Sequence, residues 1–172
     1  MAVPYGEYYS YHNFEMTGKI AASGNINSLL EENEETARTM SLSGRDACYF
    51  SLFNGCISLT TAPELPATTL ANNCYDNMFY RCTSLTSAPE LPATTLATNC
   101  YESMFSECIN LNTIKLGYTG NFANAPSNAF NNWVSVVASE GGTFYYNGDD
   151  RTTGPNAIPT GWTVSKWSVN GK

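Results

Sequence analysis

The chain has 172 residues, of which 42% are apolar and 13% charged; eight Lys and Arg face fifteen Asp and Glu, for a net charge of −7. That length admits one domain with a buried core, while an acidic chain with few bases argues against a phosphate-binding, nucleic-acid surface. No run of 18 apolar residues occurs, so no membrane span is expected.

Residues 1–14 read MAVPYGEYYSYHNF. They lack the basic and apolar regions of a secretory signal and are not read as one. Tyr5, Tyr8, Tyr9 and Tyr11 make this a tyrosine-rich arm. It either lies on the rest of the fold or docks a partner, since tyrosine is enriched at interfaces. Assembly through this arm is one expectation. Residues 15–46 read as an N-terminal cap. Within it Met16, Ile20, Ile26 and Leu29 are separated by Gly18 and Gly24, which suggests short strands with a turn between them. The acidic stretch EENEETAR at 31–38 reads as a solvated loop or short helix. Calcium is its alternative, although the alternating Asp pattern of a calcium loop is missing.

Residues 47–134 carry a repeat. APELPATTLA occurs at 62–71 and again at 88–97, an offset of 26 residues. The match extends into CYFSLFNGC from Cys48, CYDNMFYRC from Cys74 and CYESMFSEC from Cys100. A degenerate fourth copy, APSNAFNNWV at 125–134, aligns with LATNCYESMF at 96–105. A fixed period of this size signals stacked units that bury a shared core. The offsets 0, 4, 5 and 8 of Cys, Met or Leu, Phe and Cys share one face of a helical period, so each copy is expected to hold one short helical turn. Asn73 and Asn99 precede that turn as caps or as an amide ladder. Two prolines per copy, such as Pro63 and Pro66, exclude helix from the second half, leaving one short strand near SLT. The expected fold class is an α/β solenoid of three to four coils, each with one strand and one helical turn, closed by non-repeat caps.

The cysteines follow the repeat: Cys48, Cys74 and Cys100 hold one phase, and Cys56, Cys82 and Cys108 another. They read as two ladders of buried thiols acting as small hydrophobes. Disulfides are an alternative. Zinc is a second one, weakened by the absence of CxxC and by a single histidine, His12. Residues 135–172 leave the period and read as a C-terminal cap. GTFYYNG and IPTGWTVSKW in it have the look of strands, and Asp149 and Asp150 sit in the turn between them.

The pattern C-Y-x-x-M-F followed by C-x-S-L-T-x-A-P-x-L-P resembles the leucine-rich repeats of BspA-like (Treponema-type) bacterial surface antigens. Phe53, Cys56, Leu59, Pro63, Leu65 and Pro66 carry the resemblance in one copy. Phe79, Cys82, Leu85, Pro89, Leu91 and Pro92 carry it in the next. The resemblance implies a cell-surface or extracellular adhesion module that binds protein or glycan without catalysis. Related repeats on phage proteins make a virion surface component the alternative. The family fixes no binding residues.

The candidate partner-binding residues come from phase alone. Tyr49, Tyr75, Tyr101 and Phe130 are equivalent. Facing outward they would form an aromatic stripe for sugars or apolar peptide; facing inward they would be core. In-phase carboxylates, Glu64 with Glu90 and Asp76 with Glu102, could share a proton, though exposed repeat positions explain them more simply. No cofactor, metal or catalytic residue is assigned.

Overall fold

The computed structural model describes residues 18–138 and 141–167; the tyrosine-rich arm and His12 lie outside them. Two parallel sheets form. Strand β1 (Ile20–Ala21) pairs with β2 (Leu59–Thr61). Strands β3 (Ser87–Leu91), β4 (Thr113–Leu116), β5 (Thr143–Tyr146) and β6 (Thr163–Ser165) make a four-stranded sheet in that order. Among the described residues helix is confined to α1 (Glu34–Thr39) and two 3-10 turns, at Ile26–Leu29 and Phe122–Asn124. Asn33 caps α1 through Oδ1, which accepts from Thr36 N at 3.0 Å. Glu34 and Glu35 in the first turn and Arg38 in the last complement its dipole.

The expected α/β solenoid is therefore corrected. No solenoid of repeated strand–helix coils forms, because the CYxxMFxxC segments contain no helix. Every fourth residue in them adopts a left-handed backbone: Ala47 and Ser51, Asn73, Asn77 and Arg81, Asn99, Ser103 and Glu107, and Asn128, Asn132 and Val136 in the degenerate copy. A helix cannot run through such residues. The backbone donors alternate instead. Tyr49, Ser51 and Phe53 donate to the carbonyls of Cys74, Asp76 and Met78, in the next copy, at 3.1, 2.9 and 2.9 Å. Phe50, Leu52 and Asn54 donate three residues back, to Ala47, Tyr49 and Ser51. The segment is a ribbon of tight turns with a four-residue period, and over nine residues a period of four mimics 3.6.

Strand placement also departs from expectation. β2 sits at SLT as predicted, but β3 runs through Pro89. The register shifts between Ser87 and Glu90, and that irregularity accommodates a residue with no N–H.

The copies lie over one another and share one core. Leu59, Leu85 and Leu111 are all fully buried in it. Phe53, Phe79 and Phe105 stack with centroids 5.5 and 5.7 Å apart, within the favourable range for aromatic pairs. Each fully buried Phe or Leu contributes roughly 1.5–3 kcal/mol. Trp133 and Phe144 close the core at the C-terminal side, meeting edge to face at 6.0 Å.

Candidate binding face

The predicted aromatic stripe does not form. Tyr49, Tyr75, Tyr101 and Phe130 are no more than 3% exposed. They stack on one another at 5.8, 6.1 and 5.8 Å. The Tyr49 hydroxyl donates inward to Asn27 Oδ1 at 3.0 Å, and the Tyr75 hydroxyl is buried with no partner among the described residues. In the turn ribbon this position faces the core, so the rings cover each other and leave no face for a ligand.

The other singled-out residues fall in separate places. All six cysteines are free, and five are buried. Cys82 and Cys108 donate through Sγ to the Phe53 and Phe79 carbonyls at 3.1 and 3.0 Å. Burial raises the thiol pKa at every one of the six, Cys48 reaching about 11. Asn73 and Asn99 begin the turn ribbons, and Asn99 Nδ2 donates to Asn73 Oδ1 at 2.8 Å. Glu64 and Glu90 each meet a cation, Arg38 at 3.0 Å and Lys115 at 2.7 Å. Asp150 braces its turn by accepting from Phe122 N and Thr152 N at 2.9 and 2.8 Å. Its bonds with Thr152 hold the carboxyl below its ordinary value.

Asp76 is different. It is 8% exposed, accepts from Asn77 Nδ2 at 2.5 Å and lies in phase with Glu102. Burial, then the Glu102 charge, push its pKa up to about 7.

The described residues form shallow clefts. One of about 430 Å³ lies between Val134–Ala138 and the loop carrying Pro155 and Pro159. Another, about 290 Å³, lies between Ile20–Leu29 and Phe53 and Pro63. Neither is lined by a titratable side chain, so neither offers acid–base chemistry. Among the described residues no three His, Cys, Asp or Glu side chains converge as a metal set.

What sequence reasoning missed is the outer face of β3–β6. Side chains alternate along each strand. Ile114, Leu116, Phe144 and Tyr146 enter the core, whereas Thr113, Lys115, Thr143 and Tyr145 are only half-buried. The register sets Ser87, Thr113, Thr143 and Thr163 side by side, and beside them Glu90, Lys115, Tyr145 and Ser165. Neighbouring hydroxyls in such a row repeat at about 4.8 Å, the strand spacing. Glu90 and Lys115 neutralise each other. Thr113 donates to Asn112 Oδ1 at 3.1 Å and Ser87 to the Ala88 carbonyl at 3.3 Å. The side chains of Thr143, Tyr145, Thr163 and Ser165 make no hydrogen bond among the described residues. The signal was present in the alternation of TIKL, TFYY and TVS. It stayed hidden because these strands belong to different copies and to the C-terminal segment, and only pairing shows that they share a face.

No helix among the described residues is long and apolar enough to cross a membrane. No family model matches the chain, no curated protein matches it, and no solved structure matches it.

Proposed function

We propose that the protein is a non-catalytic binding module, displayed on a cell surface, which engages a protein or glycan partner across the outer face of β3–β6. The observation that carries this reading is the row of uncommitted groups on a rigid sheet. Thr143, Tyr145, Thr163 and Ser165 stand in register on strands whose opposite side packs on the core through the buried Phe144 and Tyr146 and the half-buried Val164. Rotamers held by a packed scaffold lose little entropy on binding. A half-exposed tyrosine beside hydroxyls suits both the apolar face and the polar rim of a sugar or peptide. The resemblance of the repeat to bacterial surface antigens supports the same reading.

The test is a glycan array together with a panel of immobilised extracellular proteins, probed with the wild-type chain, Tyr145→Ala, the pair Thr143→Val and Thr163→Val, and Tyr80→Ala as a control off the face. The face variants should weaken binding at least tenfold, with the control unchanged. Undiminished binding by Tyr145→Ala and by the double variant would remove this face as the site.

A further inference from the structure

The strands of the outer face differ in what they leave open. On β3 and β4 the polar groups are engaged. Glu90 and Lys115 hold each other at 2.7 Å, and Ser87 and Thr113 donate to the Ala88 carbonyl and Asn112 Oδ1. On β5 and β6 Thr143 pairs with Thr163 and Tyr145 with Ser165, partly or fully exposed, and no charged side chain stands in either pair. Lys166 turns its Nζ to the Asn147 carbonyl at 3.2 Å. Asn147 Oδ1 accepts from Trp167 N at 2.9 Å, which ties the two chains together beyond the last pair of the sheet. The result is a fixed platform that is hydroxylated and uncharged.

We propose that the ligand of this platform is a neutral, extended glycan lying across the strands, one sugar per strand; the inference rests on the reading of β3–β6 as the binding face. Charge selects the class. An acidic polysaccharide or a charged peptide would set its charges against Thr, Ser and Tyr side chains and lose hydration without gaining a counter-charge. A neutral sugar meets no such penalty. Its hydroxyls donate and accept, as do those of Thr143, Thr163 and Ser165. The apolar side of a pyranose ring suits Tyr145, which stacks on no aromatic side chain among the described residues, whereas Phe144 and Tyr146 beside it meet each other and Trp133 in the core.

Spacing selects the shape. The rows repeat at about 4.8 Å, whereas a peptide strand advances about 3.3 Å per residue and would fall out of step with them. An extended chain of equatorially linked pyranoses advances by about one strand spacing per sugar, so successive rings meet successive rows. A peptide would instead seek an open backbone edge, and β5 is paired on both sides, to β4 and to β6. The sheet has four strands, so the face spans four sugars.

Calorimetric titration of the full chain tests the proposal, with cellohexaose and chitohexaose as neutral extended probes, maltohexaose as a neutral coiled one and hexagalacturonate as an acidic one. At least one extended neutral probe should bind. Its shorter homologues should bind more weakly, with affinity levelling off once four sugars are present, and the affinity should not change in 1 M salt. Tyr145→Ala should weaken binding about tenfold, the loss of one stacking contact. The pair Thr143→Val and Thr163→Val should also weaken it, and because Val keeps the shape of Thr, that loss reports hydroxyls rather than unfolding. Failure of both extended probes to bind would overturn the proposal, as would a preference for hexagalacturonate or equal binding of maltohexaose. If the extended probes fail while an immobilised protein is bound in a Tyr145-dependent way, the glycan is removed and the face remains. Extended-glycan binding that neither the Tyr145 nor the threonine variants reduce would remove the face itself.

Discussion

Replacing Asp76 by Asn should stabilise the protein, and only above about pH 4. Asp76 is 8% exposed and carries a carboxyl whose pKa rises from 3.8 to about 7, through burial first and the charge of Glu102 second. Between those values the folded chain keeps a proton that the unfolded chain has released, so this group's contribution falls as pH rises through the window. It is complete below pH 3.8 and lost above pH 7. A carboxyl displaced that far costs up to about 4 kcal/mol once both states are ionised; relaxation and water entry bring the expected figure to about 2–4 kcal/mol. Asn keeps the shape and the acceptor for Asn77 Nδ2 and removes the charge. In a protein of this size about 2 kcal/mol corresponds to a Tm increase of at least about 4 °C. The measurement is urea unfolding of wild type and Asp76→Asn at pH 4, 5, 6, 7 and 8. Taking the difference cancels carboxylates that act with the opposite sign, such as Glu107 and Asp150. The two proteins should coincide at pH 4 and diverge steadily to pH 7. A variant that is no more stable than wild type at pH 8, or a gap that widens toward acid, would refute the reasoning.

Phe79→Ala removes a fully buried ring held between Phe53 and Phe105 and should cost about 3–5 kcal/mol in urea unfolding; a loss below 1 kcal/mol would mean the column is not packed as described. Val136 is 63% exposed and sits at a φ of 57°, where a β-branched side chain is strained, so Val136→Gly should raise stability by about 1 kcal/mol, read as a higher denaturation midpoint. With every thiol pKa raised by burial, alkylation of the native chain at pH 8 should be slow, Cys48 reacting first and all six cysteines only in denaturant. Rapid modification of two or more thiols in the native state would contradict the buried columns. Arg81→Ala breaks a pair with Glu107 at 2.8 Å between exposed side chains and should leave the urea midpoint almost unchanged, any difference vanishing in 1 M salt.

Phase was legible in the sequence, and conformation was not. The period of 26 residues placed cysteine, phenylalanine and leucine columns in a common core, because equal neighbours demand equal surroundings. The same period could not say what the backbone does inside a copy. Apolar residues at offsets 0, 4, 5 and 8 fit a helix and a four-residue turn ribbon equally well. The cue that separates them is the run of residues tolerant of positive φ at four-residue spacing: Asn73 and Asn77, Asn99, then Asn128 and Asn132. Asparagine is enriched in that conformation, yet single residues such as Arg81 and Glu107 share it and conceal the pattern. The aromatic stripe failed for a related reason. Tyr49, Tyr75 and Tyr101 were known to share an environment, but phase alone does not say whether that environment is wet.

The two identical decapeptides show where sequence stops determining structure here. At 88–97 the first residues belong to β3, whereas at 62–71 the same residues form only isolated bridges, Glu64 to Asn25 and Thr69 to Thr95. Propensity is equal by construction, so the difference lies in the neighbours. The second copy lies beside TIKL in β4, which has no proline and supplies N–H groups and carbonyls in unbroken order. The first copy faces the second, whose Pro89 and Pro92 present no N–H, and a ladder cannot close between two rows that both lack donors. The strand at β3 is therefore induced by β4. The four-stranded sheet grows from the copy that lost the proline motif outward through β5 and β6, which also lack it. On this account the divergence of the third copy from APELPATTLA is what creates the regular outer face, and a partner read by that face would be read at the degenerate end of the repeat rather than at the conserved decapeptide.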